Sequence, residues 1–124
     1  MARVLIVDDD EDIRELLSLA LRIAGHDVLT ASDGPAALDV LDAEPVDLMV
    51  LDVSMPQMSG LEVARRVRAS PRSPEPLILM LSAMADPGDI AAGLASGADS
   101  YATKPFSIPV LTQAVDELLQ GRSA

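Results

Sequence analysis

The sequence predicts an α/β fold: a single three-layer domain with a parallel five-stranded sheet between helices. Three observations carry this prediction. Short apolar runs bounded by turn residues recur along the chain, as expected of strands buried on both faces. Between them, apolar residues return at helical spacing. The two patterns alternate five times in 124 residues, and such alternation implies parallel strands joined by crossover helices.

Residues 3–8 read as the first strand. Ile13, Leu16, Leu17, Ala20, Leu21 and Ala24 then recur at helical spacing, and Gly25 closes that helix. His26 to Ala31 reads as a short strand, with His26 a turn residue that has no paired acid within sequence reach. Asp33 can cap a second helix whose first turn holds Pro35 and whose buried stripe is Ala37, Leu38 and Leu41. Pro45 stops it. The third strand is Leu48 to Asp52. The third helix is Gly60 to Ser70, with Val63, Ala64 and Val67 inward and Arg65, Arg66 and Arg68 near its C-terminus, where they suit the dipole. Pro71, Pro74 and Pro76 stiffen the next connection. Leu77 to Ser82 is the fourth strand.

Asp86-Pro87-Gly88-Asp89 looks like the start of a fourth helix, running from about Asp89 to Ser96. Its small residues and Gly93 make it the softest helix expected. Ser100 to Thr103 is the fifth strand. Ser107 can cap a fifth helix with Leu111, Val115, Leu118 and Leu119 inward, and residues 121–124 read as a tail or the start of a linker.

Composition narrows the function classes. A chain of this length buries a core without staples. It has no cysteine, hence no disulfide framework or thiol chemistry. No apolar stretch approaches a membrane span, and no secretory signal stands at the N-terminus, so a cytoplasmic setting without membrane contact is expected. The formal net charge of −11 repels phosphate backbones. Tyr101 and Phe106 are the only aromatics, too few for a base-stacking platform, so direct nucleic-acid binding is not expected. Lys104 is the only lysine, and it stands at a strand end before a proline.

Strand ends hold the chemistry. In open parallel sheets, ligands bind beyond the C-terminal ends of the strands. There this chain offers Asp8-Asp9-Asp10, Asp52, Ser82 and Lys104. The ordinary reading of residues 8–12 is a solvated, helix-capping acidic run. If the first and third strands are neighbours, however, Asp8, Asp9 and Asp52 crowd together, and crowded carboxylates repel. A hard divalent cation relieves that repulsion, and Mg²⁺ suits a shallow site with few carboxylates, a carbonyl and waters. Asp52 can act as a nucleophile toward phosphorus and form an acyl phosphate. The cation would neutralise the transferring group, Lys104 could pair with a phosphate oxygen, and Ser82 could donate a hydrogen bond to it. Taken singly, Asp52 could equally be a loop-entry residue, Ser82 a turn serine and Lys104 a solvated lysine. Met49 and Met80 read as core, and Met55, Met58 and Met84 as loop residues near the site.

The assembled pieces resemble the receiver domain of bacterial two-component response regulators, including the chemotaxis regulators. The resemblance covers about residues 3–120. It rests on Val7-Asp8-Asp9-Asp10, Asp33-Gly34, Leu51-Asp52 with Met55-Pro56 and Gly60, Ser82-Ala83, Gly97-Ala98-Asp99 and Lys104-Pro105-Phe106. It implies a flavodoxin-like (βα)5 domain with strand order 2-1-3-4-5. By position it implies that Asp52 is the phosphoacceptor and that Asp8 and Asp9 are the acidic Mg²⁺ residues, Asp9 being a direct ligand. It implies a metal-binding backbone carbonyl at Ser54, a switch hydroxyl at Ser82, a switch aromatic at Tyr101 and a phosphate-pairing lysine at Lys104. The implied partners are a sensor histidine kinase or phosphotransfer protein, and a downstream protein or fused output domain. That partner would read the face made by the fourth helix, fifth strand and fifth helix.

The resemblance implies a signalling phosphoacceptor, not an enzyme, either standing alone or as part of a longer regulator. Ser100 stands where the winged-helix subfamily usually carries an acid, and the fifth helix lacks the matching basic residues. That subfamily's dimer is therefore not expected. Three other readings compete. An Mg²⁺-dependent aspartyl phosphatase would need a general acid where Ser54 stands. A flavin carrier would need a phosphate loop where the acids stand. A receiver-shaped scaffold would not need Asp9, Asp52, Ser82 and Lys104 together.

Overall fold

The computed structural model describes residues 2–123. The elements are β1 (Arg3–Val7), α1 (Glu11–Ile23), β2 (Asp27–Ala31), α2 (Gly34–Ala43), β3 (Leu48–Asp52), α3 (Gly60–Ala69), β4 (Leu77–Ser82), α4 (Pro87–Ser96), β5 (Ser100–Thr103) and α5 (Ile108–Ser123). All strand pairings are parallel, in the order β2-β1-β3-β4-β5. That is the α/β fold read from the sequence pattern and the strand order that the family resemblance implied. Val7 lies opposite Leu51, so the chain leaves β1 beside the end of β3.

The apolar runs are unbroken because both faces of the sheet are covered. Leu5, Val7, Met49, Leu51, Ile78 and Met80 face Ala37 and Leu41 of α2 and Val63, Ala64 and Val67 of α3. Their alternates Val4, Ile6, Leu48, Val50, Leu79 and Leu81 face Leu17 and Leu21 of α1 and Leu111 and Val115 of α5. Each of these Val, Leu, Ile and Met side chains contributes about 1.5–3 kcal/mol through burial, and the alanines less. The caps at Asp33 and Ser107 are those read from the sequence, Asp10 belongs to the acidic run read as helix-capping, and Ser59 is a cap not singled out there. The side chains of Asp10, Asp33, Ser59 and Ser107 accept from the backbone N–H of Ile13, Ala36, Glu62 and Val110.

Several details differ. Leu16, expected inside, is half exposed with Leu19 and Ile23, while Ser18 is buried. The sequence of α1 carries apolar residues on more than one face, and docking against β1 and β2 selects the Leu17–Leu21 stripe. α4 starts at Pro87, where the ring's fixed φ suits a first helical position. Its N-cap Asp86 makes no side-chain capping bond. α5 continues through Gly121 to Ser123, beyond the Gln120 boundary read from the sequence, and Ala124 lies outside the described residues. His26 does have an acidic partner, far away in sequence. Its Nδ1 accepts from the Ala2 backbone N–H at 3.4 Å, which leaves Nε2 to donate to Asp116 of α5 at 3.2 Å.

Candidate functional site

Parallel pairing brings the strand ends together, and the strand-end residues follow. Asp8 directly follows β1, and Asp52 ends β3. They are only 1% and 4% exposed, which makes them unusual among carboxylates, while Asp9 is exposed. Asp8, Asp9 and Asp52 each offer a carboxylate oxygen within 4.8 Å of the others. Three hard, anionic oxygens at that spacing fit a small divalent cation better than they fit one another.

A lysine ammonium reaches these carboxylates. Lys104 follows β5, and its Nζ donates to Asp8 Oδ2 at 3.3 Å and to Asp52 Oδ1 at 3.4 Å. It is anchored by its own backbone N–H, which donates to the Ser82 carbonyl at 2.8 Å. The Lys104–Pro105 peptide bond is cis. Asp8 Oδ1 accepts from the Asp10 N–H at 2.9 Å. Burial pushes the Asp52 carboxyl from an ordinary 3.8 up to about 6. The Asp8 charge adds to that rise, and Lys104 and the Ser54 backbone N–H oppose it. Burial also acts to lower the Lys104 ammonium, but Asp52 and Asp8 outweigh it and hold the group above its ordinary value.

The backbone beneath Asp52 is fixed by a close approach. Gly60 opens α3 with its N–H on the Val53 carbonyl at 2.9 Å, and a Cβ there would collide with the Asp52 carbonyl oxygen and press on Val53 Cα. A side chain at residue 60 would displace the strand end that carries Asp52. Ser54 is exposed in the loop just past Asp52.

Ser82 ends β4 and is 1% exposed. Its Oγ accepts from the Met84 N–H at 3.0 Å, which leaves the hydroxyl proton to donate elsewhere. Tyr101 in β5 stands apart from the carboxylates. It reaches the site indirectly, because its hydroxyl donates to the Met84 carbonyl at 2.8 Å. One backbone residue, Met84, therefore joins Ser82 to Tyr101.

One participant escaped the sequence reading, and another, Met84, was read only as a loop residue near the site. Arg14 of α1 donates from Nη1 to the Asp8 carbonyl at 2.7 Å and clamps the turn that carries the acids. Its signal was present: a cation near a helix N-terminus opposes the dipole and so calls for another reason. Met84 acts through its main chain, for which its side chain offers no signal.

Comparison with known proteins gives a consistent picture. The family described as "Response regulator receiver domain" matches residues 4–116. The chain is 47% identical over 105 residues to the alkaline phosphatase synthesis transcriptional regulatory protein PhoP of Bacillus subtilis, covering 85% of this chain and 43% of PhoP. It is 41% identical over 118 residues to the response regulator MprA of Mycobacterium avium, covering 95% of this chain and 51% of MprA. The chain thus spans about half the length of the curated relatives it matches. Among solved structures, Vibrio cholerae chemotaxis protein CheY4 superposes with a TM-score of 0.89 at 37% identity, covering 94% of this chain and 98% of CheY4.

Proposed function

This chain belongs to the response regulator receiver domain family, and from that premise we propose that Asp52 is its phosphoacceptor, served by Asp8, Asp9, Ser82 and Lys104. Receiver domains of this family act in two-component signalling with histidine kinases, and Mg²⁺ binding is general among them. The observation that carries the proposal is the buried Asp52 carboxylate, crowded by Asp8 and Asp9 and bridged to Asp8 by Lys104. A carboxylate placed only to cap a loop would not need this arrangement.

The donor is a phosphohistidine on a kinase or phosphotransfer protein, or a small acyl phosphate. An Asp52 oxygen attacks phosphorus, the bond from phosphorus to the donor breaks, and an acyl phosphate forms on Asp52. Asp8, Asp9, Asp52 and the Ser54 carbonyl would hold Mg²⁺, which when bound neutralises charge on the transferring oxygens. Lys104, already against Asp52, pairs with a phosphoryl oxygen as a point charge. Ser82 turns its free proton toward the new group. Movement there is carried through Met84 to Tyr101, and the surface of α4, β5 and α5 changes for a downstream partner or fused output domain.

The chain promotes only its own phosphorylation and dephosphorylation in this reading. No helix among the described residues is long and apolar enough to cross a membrane, and we place the protein in the cytoplasm. Intact mass after incubation with acetyl phosphate tests the proposal. A single phosphoryl adduct is expected with Mg²⁺ and not with EDTA, and Asp52→Asn should carry none. An adduct that persists on Asp52→Asn removes that residue from the role.

A further inference from the structure

Glycine inside a helix costs about 1 kcal/mol relative to alanine. α4 nonetheless carries Gly93, buried in its second half, between Ala92 and Leu94. The reason lies across from it. A Cβ on Gly93 would stand 2.7 Å from both Cδ2 and Cε2 of Tyr101 and 3.1 Å from Met80 Sδ. The edge of the Tyr101 ring therefore rests on the bare backbone of α4. From that seat its hydroxyl reaches the Met84 carbonyl, and the Met84 N–H reaches Ser82 Oγ. The other glycine of this helix is different, because a Cβ on Gly88 would meet nothing within 4 Å.

We infer that Gly93 is a positioning residue, whose missing side chain seats the Tyr101 ring against α4 and couples that helix to the Ser82 hydroxyl. The regulatory half of this inference rests on the roles proposed above for Ser82 and Tyr101, whereas the seat itself does not. Alanine at position 93 favours the helix but excludes the ring. The ring can swing outward about its side-chain torsions, whereas the α4 backbone cannot retreat without leaving β4 and β5. The Gly93→Ala chain therefore folds with Tyr101 turned out, the Met84 carbonyl released and the loop after β4 loosened. Asp52 still accepts its phosphoryl group, but α4 no longer responds.

Tyr101 is the only tyrosine and the chain has no tryptophan, so intrinsic fluorescence reports this one ring. Acrylamide quenching is compared in the parent, Gly93→Ala and Gly88→Ala, with no phosphoryl group present. Increased quenching in Gly93→Ala and parent-like quenching in Gly88→Ala are expected; parent-like quenching in Gly93→Ala overturns the seat. Thermal unfolding of Gly93→Ala, Tyr101→Ala and the double variant closes a cycle. Gly93→Ala must be better tolerated once the ring is gone, and simple additivity contradicts the inference. If Gly93→Ala alone does not fold, the double variant should fold, and its failure also contradicts the inference. A second arm adds beryllofluoride and Mg²⁺ as a phosphoryl mimic, with binding read by fluorine NMR. The parent's tyrosine signal is expected to change and that of Gly93→Ala to stay fixed although both bind. A parent whose tyrosine ignores bound beryllofluoride overturns the proposed switch role of Tyr101 and the regulatory half of this inference, while the quenching comparison judges the seat by itself.

Discussion

The role proposed for Asp52 places two opposed demands on it. A nucleophile must be ionised, yet burial and Asp8 push its carboxyl up to about 6. Its proton affinity is thus higher folded than unfolded. Protonation therefore stabilises the fold fully below the unfolded value of 3.8, and that contribution is lost as pH rises through about 6. At pH 7 the ionised group costs on the order of 2–3 kcal/mol. In EDTA, Asp52→Asn should raise the thermal midpoint at pH 7–8, and the gain should vanish near pH 4. A gain that does not change with pH would argue against a raised Asp52. Added Mg²⁺ should stabilise the parent but not Asp52→Asn, with less effect below about pH 6, where Asp52 binds a proton instead of metal. Lys104 is the counterweight. Lys104→Ala should lower stability by about 2 kcal/mol and raise the Asp52 pKa further, as read by carbon NMR of its carboxyl. An unmoved Asp52 titration would remove Lys104 from that part.

The elements differ in how firmly they are held. α4 buries only Gly93 and Ser96 and lacks a side-chain N-cap bond. Its far end is better secured, by Arg68 of α3. Arg68 donates to the Gly97 and Pro76 carbonyls at 2.9 and 2.7 Å and to Glu75 and Asp99 at 2.8 and 2.9 Å. Burial would raise Glu75, but the Arg68 bond and charge hold it below the usual carboxylate range. α4 is thus held less firmly at its N-terminal end than at the Gly97 end, with Gly93 lying in the better-held half. Amide exchange should be faster in α4 than in α1 or α3. Arg68→Ala should cost about 2–3 kcal/mol and spread fast exchange through residues 97–99. Unchanged protection there would show that the guanidinium is not the pin. The softness of α4 was legible from Gly93 and its small residues, but the pin was not. Arg68 read as one of three arginines suiting a helix dipole, and of its actual partners Gly97 and Asp99 are brought near only by the fold, while Glu75 and Pro76 lie in the connection that follows α3.

For the whole molecule, the sheet was legible because burial on both faces leaves no polar alternation in the central strands β1, β3 and β4, and the four crossovers leave few topologies. The site followed from the sheet, because strand ends in a parallel layer share one edge. Asp8, Asp52, Ser82 and Lys104 were therefore readable from their places after apolar runs. Tyr101 was not, since it reaches the edge through the Met84 main chain. The inward face of α1 was legible in Leu17 and Leu21 but not at its edge, where only packing against β1 and β2 separates exposed Leu16 from buried Leu17.

The central claim is that one carboxylate in this acidic chain receives the phosphoryl group. Borohydride reduces an acyl phosphate of aspartate to homoserine, so peptide mapping after acetyl phosphate, Mg²⁺ and borohydride locates it directly. The account predicts homoserine at position 52 and aspartate at positions 8, 9 and 10. Homoserine at any of those three, with Asp52 intact, would contradict it.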